Sequence, residues 1–535
     1  LADAAVALGT TEKKMEEGKD LIRYFSVPCK PTKTNGGRTR NLPADAPEKW
    51  EVYKQYNAQD VETERAIRKA LEKYPLPEQE WELYALDQQI NDRGVRVDKK
   101  LVKNAIAVDE VFAQAACQRA KELTGLENPG SVNQLKAWLA DQDMPMESLA
   151  RKIVQEKAAQ TNGIVAELLN LRLELSKTSV KKYEAMARCV CKDGRIHGMM
   201  QFYGGSRTGR FAPRILNMQN LPQNHLPDLD LAREIVKTGD EELLDALFTS
   251  VPGTLSELIR TAFIPKDGCR FLVADFSAIE ARVLAWLANE EWVLEEFRGK
   301  GKIYEATASR MFHIPQESIV KGNPNYEYRQ KGKQATLSCG YGGGVGALKA
   351  MGAKMPEDEM QPLVDAWRAA NPNIVAFWNA LDRAARTVIR KKTSARVGKV
   401  TLYWQDDKMF MRLPSGRNLC YQSPHFTENR FGSDAIGYYA PNAAGQMVVQ
   451  ETFGGKLAEN ATQAIARDIL AHALLTLEKN GYPVIFHVHD ESVIEKPIGQ
   501  GSLEEACRLM AIAPDWAEDL PLRADGYECA YYQKS

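Results

Sequence analysis

No stretch of the chain is apolar for long enough to cross a bilayer as a helix, which excludes the helical membrane-protein classes. The N-terminus carries no basic-then-apolar leader, so export is not expected and a cytoplasmic location is. Position 1 is Leu rather than Met, which points to a trimmed or partial chain. Histidine is scarce, at seven residues, and the nine cysteines are scattered with no CxxC pair. That spacing argues against a zinc knuckle or a disulfide framework and fits a reducing compartment. Neither sign of charge prevails: 70 basic against 71 acidic residues leave a net charge of −1, which selects no partner. A nucleic-acid binder of this composition has to gather its cations locally.

What remains is an ordinary globular composition, 44% hydrophobic and 26% charged, over 535 residues, a length that predicts two to four sub-domains. Residues 1–75 hold a basic loop, "CKPTKTNGGRTRN", and then a helix from about Glu48 to Glu72. "YPLPEQE" reads as a linker because closely spaced prolines disfavour helix. From Trp81 to about Ala187 long amphipathic helices are expected, broken at "ENPGS" and "QTNGI", with Leu168, Leu169, Leu171, Leu173 and Leu175 on a packed helix. Asp193 to Gln223 is Gly- and Arg-rich and short-stranded; after it, helix and strand alternate.

Three later segments carry chemistry. In "CRFLVADFSAIEARVLAWLAN", Phe271 to Ala274 read as a buried strand delivering Asp275 to its end. Ser277 with Glu280 three residues on is a capping-box pattern that starts a helix. In "YRQKGKQATLSCGYGGG", Arg329, Lys333, Leu337 and Tyr341 lie four apart and form one stripe on a helix. Like charges at that spacing repel unless an anion such as a triphosphate faces both. The glycines after Tyr341 lack the Gly-Lys-Ser/Thr ending of a phosphate loop. In "GYPVIFHVHDESVIEKP", two apolar runs flank His489-Asp490-Glu491, which predicts a hairpin with acids near its turn. Adjacent carboxylates on a rigid hairpin call for a cation. A His-X-His zinc site on His487 and His489 is the competing reading, with no third ligand evident nearby. Two strand-borne acids brought together by the fold suit two-metal phosphoryl transfer, in which ions roughly 3.5–4 Å apart activate the attacking oxygen and stabilise the leaving one. Basic residues for a triphosphate turn that chemistry toward nucleotidyl transfer.

In order, these segments resemble the three polymerase motifs of family A DNA polymerases: "DFSAIEARVLA" is similar to DYSQIELRVLA, "RQKGKQATLSCGYG" to RRxxKxxNFGxxYG and "HVHDE" to QVHDE. "SRTGRFAPRILNMQNLP", "ENATQAIARDIL" and the thumb-like "NPGSVNQLKAWL" extend the resemblance from about Trp81 onward. It implies an α/β (α+β) right-hand fold: thumb over 81–195, palm over 196–285 and 451–535, fingers over 286–450. The implied activity is template-directed extension of a DNA primer with deoxynucleoside triphosphates in DNA replication. Asp275 and Asp490 would hold two Mg2+ ions, for which Mn2+ can substitute, with Glu491 as a supporting catalytic acid. Arg329 and Lys333 would take the triphosphate, with Leu337 beside them. Tyr341 and Glu280 would pair beside the sugar, Glu280 being the gate against a 2′-hydroxyl. Arg210, Gln463, His489, Asn217 and Gln219 would face the primer-template. Implied partners are primer-template DNA and nucleotides, with no membrane, a monomeric chain, and a processivity factor left unspecified.

Departures from the family pattern fall around the sugar: Leu337 replaces an aromatic ring, Phe276 and Ala278 replace Tyr and Gln, and Tyr304 in "GKIYEATA" stands at the family's His. They resemble bacteriophage members. "YNAQDVETE" is similar to the last motif of the family's 3′–5′ exonuclease, with Tyr56 and Asp60 as site residues. The earlier Asp-X-Glu motif is absent, so residues 1–80 read as a remnant of a truncated exonuclease domain and this chain is not expected to proofread. A single-subunit RNA polymerase is the nearest rival, disfavoured by Glu280. A catalytically dead DNA clamp is disfavoured by retention of Asp275, Asp490, Arg329 and Lys333 together.

Overall fold

The structure is a computed structural model that describes residues 1–15, 18–177, 180–429, 432–442 and 444–534. Packing divides it into two compact units, Leu1–Trp81 and Glu82–Ser535. In the first, α1 (Ala2–Leu8), α2 (Gly18–Ser26) and α3 (Pro47–Leu71) share a small core. Pro47 occupies the first turn of α3, where its missing N–H costs nothing. Aromatic rings flank that core: Phe25 stacks on Tyr53 at 5.4 Å and meets the edge of Trp50 at 5.1 Å.

The second unit begins with helices as expected. Asp98 caps α4 (Lys99–Thr124), its Oδ1 accepting from the Leu101 N–H at 3.0 Å. Gly125 ends that helix in the left-handed region, φ 67°, at the "ENPGS" break. The next helices, α5 (Val132–Asp141), α6 (Arg151–Gln160) and α7 (Gly163–Leu175), enclose their own core around Leu135, Leu139, Val154, Leu168 and Leu169. Leu175 at the end of α7 is exposed.

A two-stranded ribbon, β1 (Met200–Gly205) with β2 (Arg210–Pro213), precedes β3 (Cys269–Phe276) and α8 (Ile279–Ala288). Then come α9 (Ile303–Phe312), α10 (Glu327–Cys339) and α11 (Pro372–Lys391). Instead of helix and strand alternating after it, six strands follow in succession: β4 (Ser394–Val397), β5 (Val400–Gln405), β6 (Lys408–Arg412), β7 (Asn418–Glu428), β8 (Asp434–Pro441) and β9 (Met447–Thr452). They form one antiparallel meander in chain order. Its cause is period-two patterning: Val400, Leu402, Met409, Met411, Leu419 and Tyr421 point to the core while Thr401, Tyr403, Arg412 and Asn418 point away.

The chain closes with α12 (Gly454–Lys479), β10 (Val484–Val488), β11 (Glu491–Pro497) and β12 (Ala524–Cys529). Strands β10, β11, β3 and β12 lie side by side in that order, all antiparallel. Both faces of this sheet are covered. Phe271, Val273, Phe486 and Val493 pack with Leu101, Val102 and Ala105 of α4. Leu272, Ala274, Val484 and Ile494 pack with α8, α11 and α12. Burial on both faces is why β3 reads as a continuous apolar run rather than an alternating one. Each such side chain contributes about 1.5–3 kcal/mol, so the frame that carries the acids is rigid.

Candidate active site

Register places the acids. Across the β3–β11 pair Asp275 stands directly opposite Glu491, and Asp490 occupies the two-residue turn between β10 and β11. The Phe276 N–H donates to the Asp490 carbonyl at 3.2 Å, fastening that turn to the end of β3. Glu491 is fully buried with both oxygens engaged: Tyr532 Oη donates to Oε1 at 2.6 Å and Lys534 Nζ to Oε2 at 3.0 Å. The same ammonium reaches Asp275 Oδ2 at 3.4 Å.

Burial pushes the Asp275 and Glu491 carboxyls above the ordinary range, against the pull of Lys534. Burial also lifts Asp490, to about 6, against Arg210, while Glu280 and Asp275 add repulsion. A nearby divalent cation would relieve carboxylates whose charge the surroundings resist. The donor set is all hard oxygen, which suits Mg2+ or Mn2+. Among the described residues, no three His, Cys, Asp or Glu side chains are placed to hold a metal ion on their own.

The zinc alternative does not assemble. His487 is buried with its ring 4.4 Å from Phe211, and burial lowers its pKa to about 3. His489 leaves the strand face at a left-handed turn, φ 54°, and is exposed. The capping box also fails. The residue before α8 is Ala278, itself left-handed at φ 52°, and no side chain caps the helix. Glu280 is instead taken by other partners: Tyr341 Oη donates to its Oε2 at 2.8 Å, and Arg210 pairs with its Oε1. Tyr341 is locked from behind, because a Cβ on Gly455 would lie 2.2 Å from the Tyr341 carbonyl oxygen. The glycines after Tyr341 likewise serve packing: a Cβ on Gly343 would sit 2.0 Å from the Ser338 carbonyl oxygen.

On α10 the stripe forms from Arg329 through Leu337, but the helix ends at Cys339 and Tyr341 lies in the turn beyond it. Arg329 Nε donates to Glu305 at 2.8 Å, and the ring of Tyr304 lies 5.6 Å from the Arg329 guanidinium and 5.9 Å from the Lys333 ammonium. Both cations thus lie near one aromatic ring. Leu337 is exposed and lines a cleft with Glu280, Leu284 and Tyr341.

Comparison with known proteins joins these features to a family. The family model described as DNA polymerase family A matches residues 108–525. A DNA polymerase of Bacillus phage SP02 is 49% identical over all of this chain and 83% of its own length. The chain belongs to DNA polymerase family A. DNA polymerase I of Geobacillus stearothermophilus is 24% identical over 81% of this chain, which spans 43% of that longer protein. Among solved structures, the POL domain of Pol1 from M. smegmatis, in complex with DNA primer-template and dNTP, matches 99% of this chain and 81% of its own. Its TM-score is 0.59 at 17% identity, a likeness of fold.

The other expected residues of this family A chain have partners of their own. Gln463 lies half-buried on α12, and the Gln219 backbone hydrogen-bonds the His489 ring. Asn217 accepts from the Asn220 N–H at 3.2 Å and caps a short 3-10 turn, while Gln219 Nε2 donates to the Phe211 carbonyl at 3.3 Å. In the first unit, Tyr56 is buried and Asp60 pairs with Lys14 at 3.4 Å, the same ammonium lying 5.2 Å from the Tyr56 ring.

Sequence reasoning missed two features. One is a buried ion network: Arg417 Nε donates to Asp468 Oδ1 at 2.6 Å, Ser415 to Oδ2 at 2.5 Å, and Arg417 Nη1 to Tyr203 Oη at 2.8 Å. It joins the six-stranded sheet to α12 and β1. The other is Lys534 among the acids. Neither has a local signal, because every partner is distant in the chain.

Proposed function

We propose that this chain extends a DNA primer on a template strand by nucleotidyl transfer, with Asp275 and Asp490 as the metal-binding acids and Glu491 as their buried support. The observation that carries the reading is the register of Asp275 against Glu491 with Asp490 in the adjoining turn, electrostatically coupled to Arg210 and Glu280. Two divalent ions would supply nucleophile activation and charge neutralisation at the transferring phosphoryl group. The protein's own contribution is positioning: Arg329 and Lys333, presented on one face of α10, take the triphosphate as charge-assisted donors. The Glu280 carboxylate, fixed by Tyr341 and Arg210, stands where it meets the sugar. His489, Gln219, Asn217 and Gln463 face the primer-template.

The hand is assigned as thumb over 81–195, palm over 196–285 and 451–535, and fingers over 286–450, the six-stranded sheet falling in the last except for the end of β9. Partners are primer-template DNA and deoxynucleoside triphosphates, acting on a monomeric chain. The decisive experiment is primer extension on a primed DNA template with Mg2+, run in parallel with deoxy- and ribonucleotides. Extension with deoxynucleotides alone is expected; efficient ribonucleotide extension would assign an RNA polymerase, and none with either a non-catalytic binder.

A further inference from the structure

Like charges placed directly opposite one another across two strands repel, and nothing in β3 or β11 relieves the Asp275–Glu491 pair. Relief comes from the segment after β12, whose path is unusually well fastened. The Lys534 N–H donates to Asn224 Oδ1 at 2.7 Å and the Asn224 N–H returns a bond to the Lys534 carbonyl at 2.8 Å. Asn224 is itself 5% exposed and tied through Nδ2 to the Glu257 carbonyl at 2.6 Å. Two residues earlier the Tyr532 ring is fully buried, its N–H donating to the Phe263 carbonyl at 2.9 Å and its hydroxyl bridging Arg260 to Glu491. A surface lysine would lose its side-chain entropy for little return; here the backbone is fixed and the ammonium has only to extend into the gap between two carboxylates. Lys534 lies 3.0 Å from one acid and 3.4 Å from the other, the kind of bridging place a divalent ion would take.

We propose that Lys534 is a tethered cation that holds Asp275 to the buried Glu491 when metal is absent and competes with the divalent ion for Asp275, thereby setting how tightly the enzyme binds metal before nucleotide arrives. This rests on reading Asp275 and its neighbours as the metal site. A unit positive charge a few ångströms from the incoming ion opposes it, and removing that charge strengthens binding even though a contact has been lost.

The test is Mn2+ binding to the whole chain without DNA or nucleotide, read from the electron paramagnetic resonance signal of the free ion. Lys534→Met is expected to bind Mn2+ about tenfold more tightly than the parent. Lys534→Arg, which keeps the charge, should stay near the parent. Asn224→Ala, which frees the tether and keeps the lysine, should fall between parent and Lys534→Met and serves as the measure if Lys534→Met does not fold. Asp275→Asn must weaken Mn2+ binding; if it does not, the metal-site reading fails and the inference with it. Should Asp275→Asn weaken binding while Lys534→Met and Asn224→Ala leave it unchanged or lower, the role of Lys534 alone is overturned. A residue with a merely structural part would never raise metal affinity.

Discussion

Replacing Glu280 with Ala removes a carboxylate held from two sides, by Tyr341 Oη at 2.8 Å and by the Arg210 guanidinium. If this carboxylate excludes a ribose 2′-hydroxyl, a ribonucleotide enters only by displacing it. Displacement sacrifices one or both of these charge-assisted bonds. Each contributes about 1.5–3 kcal/mol, so breaking both costs about 3–6 kcal/mol, or a discrimination of roughly 10²–10⁴. The Glu280 side chain is 34% exposed, and solvent weakens the Arg210 pair, so the lower end is the better figure. Glu280→Ala is therefore expected to reduce the ratio of kcat/KM for a deoxynucleotide over its ribonucleotide by about a hundredfold. Tyr341→Phe, which removes one bond and keeps the acid, should reduce it by about tenfold. The assay is single-nucleotide extension of a primed template with matched dNTP and rNTP pairs. A Glu280→Ala enzyme that keeps full discrimination while using deoxynucleotides normally would refute the gate.

Lys333→Ala should raise KM for the incoming nucleotide roughly ten- to hundredfold, since it deletes one charge-assisted phosphate contact, while primer-template affinity measured by fluorescence anisotropy stays unchanged; an unaltered KM would remove Lys333 from the nucleotide site. Asp468→Ala leaves Arg417 buried without its carboxylate, both side chains being at most 5% exposed, and should lower the free energy of denaturant unfolding by about 3–5 kcal/mol. A loss under 1 kcal/mol would show that the network is dispensable. The folded pKa of His487, at about 3, lies below its unfolded value, so the native state binds fewer protons in acid. The stability His487 supports is present above pH 6.5 and is lost as pH falls, by about 1.4 kcal/mol per pH unit below that point. His487→Phe should flatten the unfolding free energy between pH 6.5 and 5 by that slope, and parallel profiles for the two proteins would contradict the assignment.

The acids were legible in the sequence because the frame that carries them is apolar on both faces. Phe271 to Ala274 and Val484 to Phe486 have no other way to be buried, and the hairpin around His489-Asp490 follows from two apolar runs with polar residues between. The helical stripe was legible in its four-residue spacing as far as Leu337, while Tyr341 lies past the helix end. Ser277 and Glu280 misled, since a capping box assumes an extended residue before the helix, whereas Ala278 turns left-handed and Glu280 answers to Tyr341 and Arg210. The six-stranded meander was hidden by its mixed outward face, where Tyr403, Arg412 and Thr401 blur the alternation. Arg417 with Asp468 and Lys534 with Glu491 were invisible for a plainer reason: an ion pair leaves no mark at either end of a long sequence separation, and only the folded topology brings its partners together.

The most direct test measures extension and DNA binding side by side for Asp275→Asn and Asp490→Asn. Phosphate contacts dominate DNA affinity, so binding of a primer-template at fixed salt should remain within a few-fold of the parent. Single-turnover extension should fall by at least about a thousandfold in each variant, the several kcal/mol that metal-ion stabilisation of the transferring phosphoryl group contributes. Extension within tenfold of the parent in either variant would contradict the assignment of that acid to the catalytic centre.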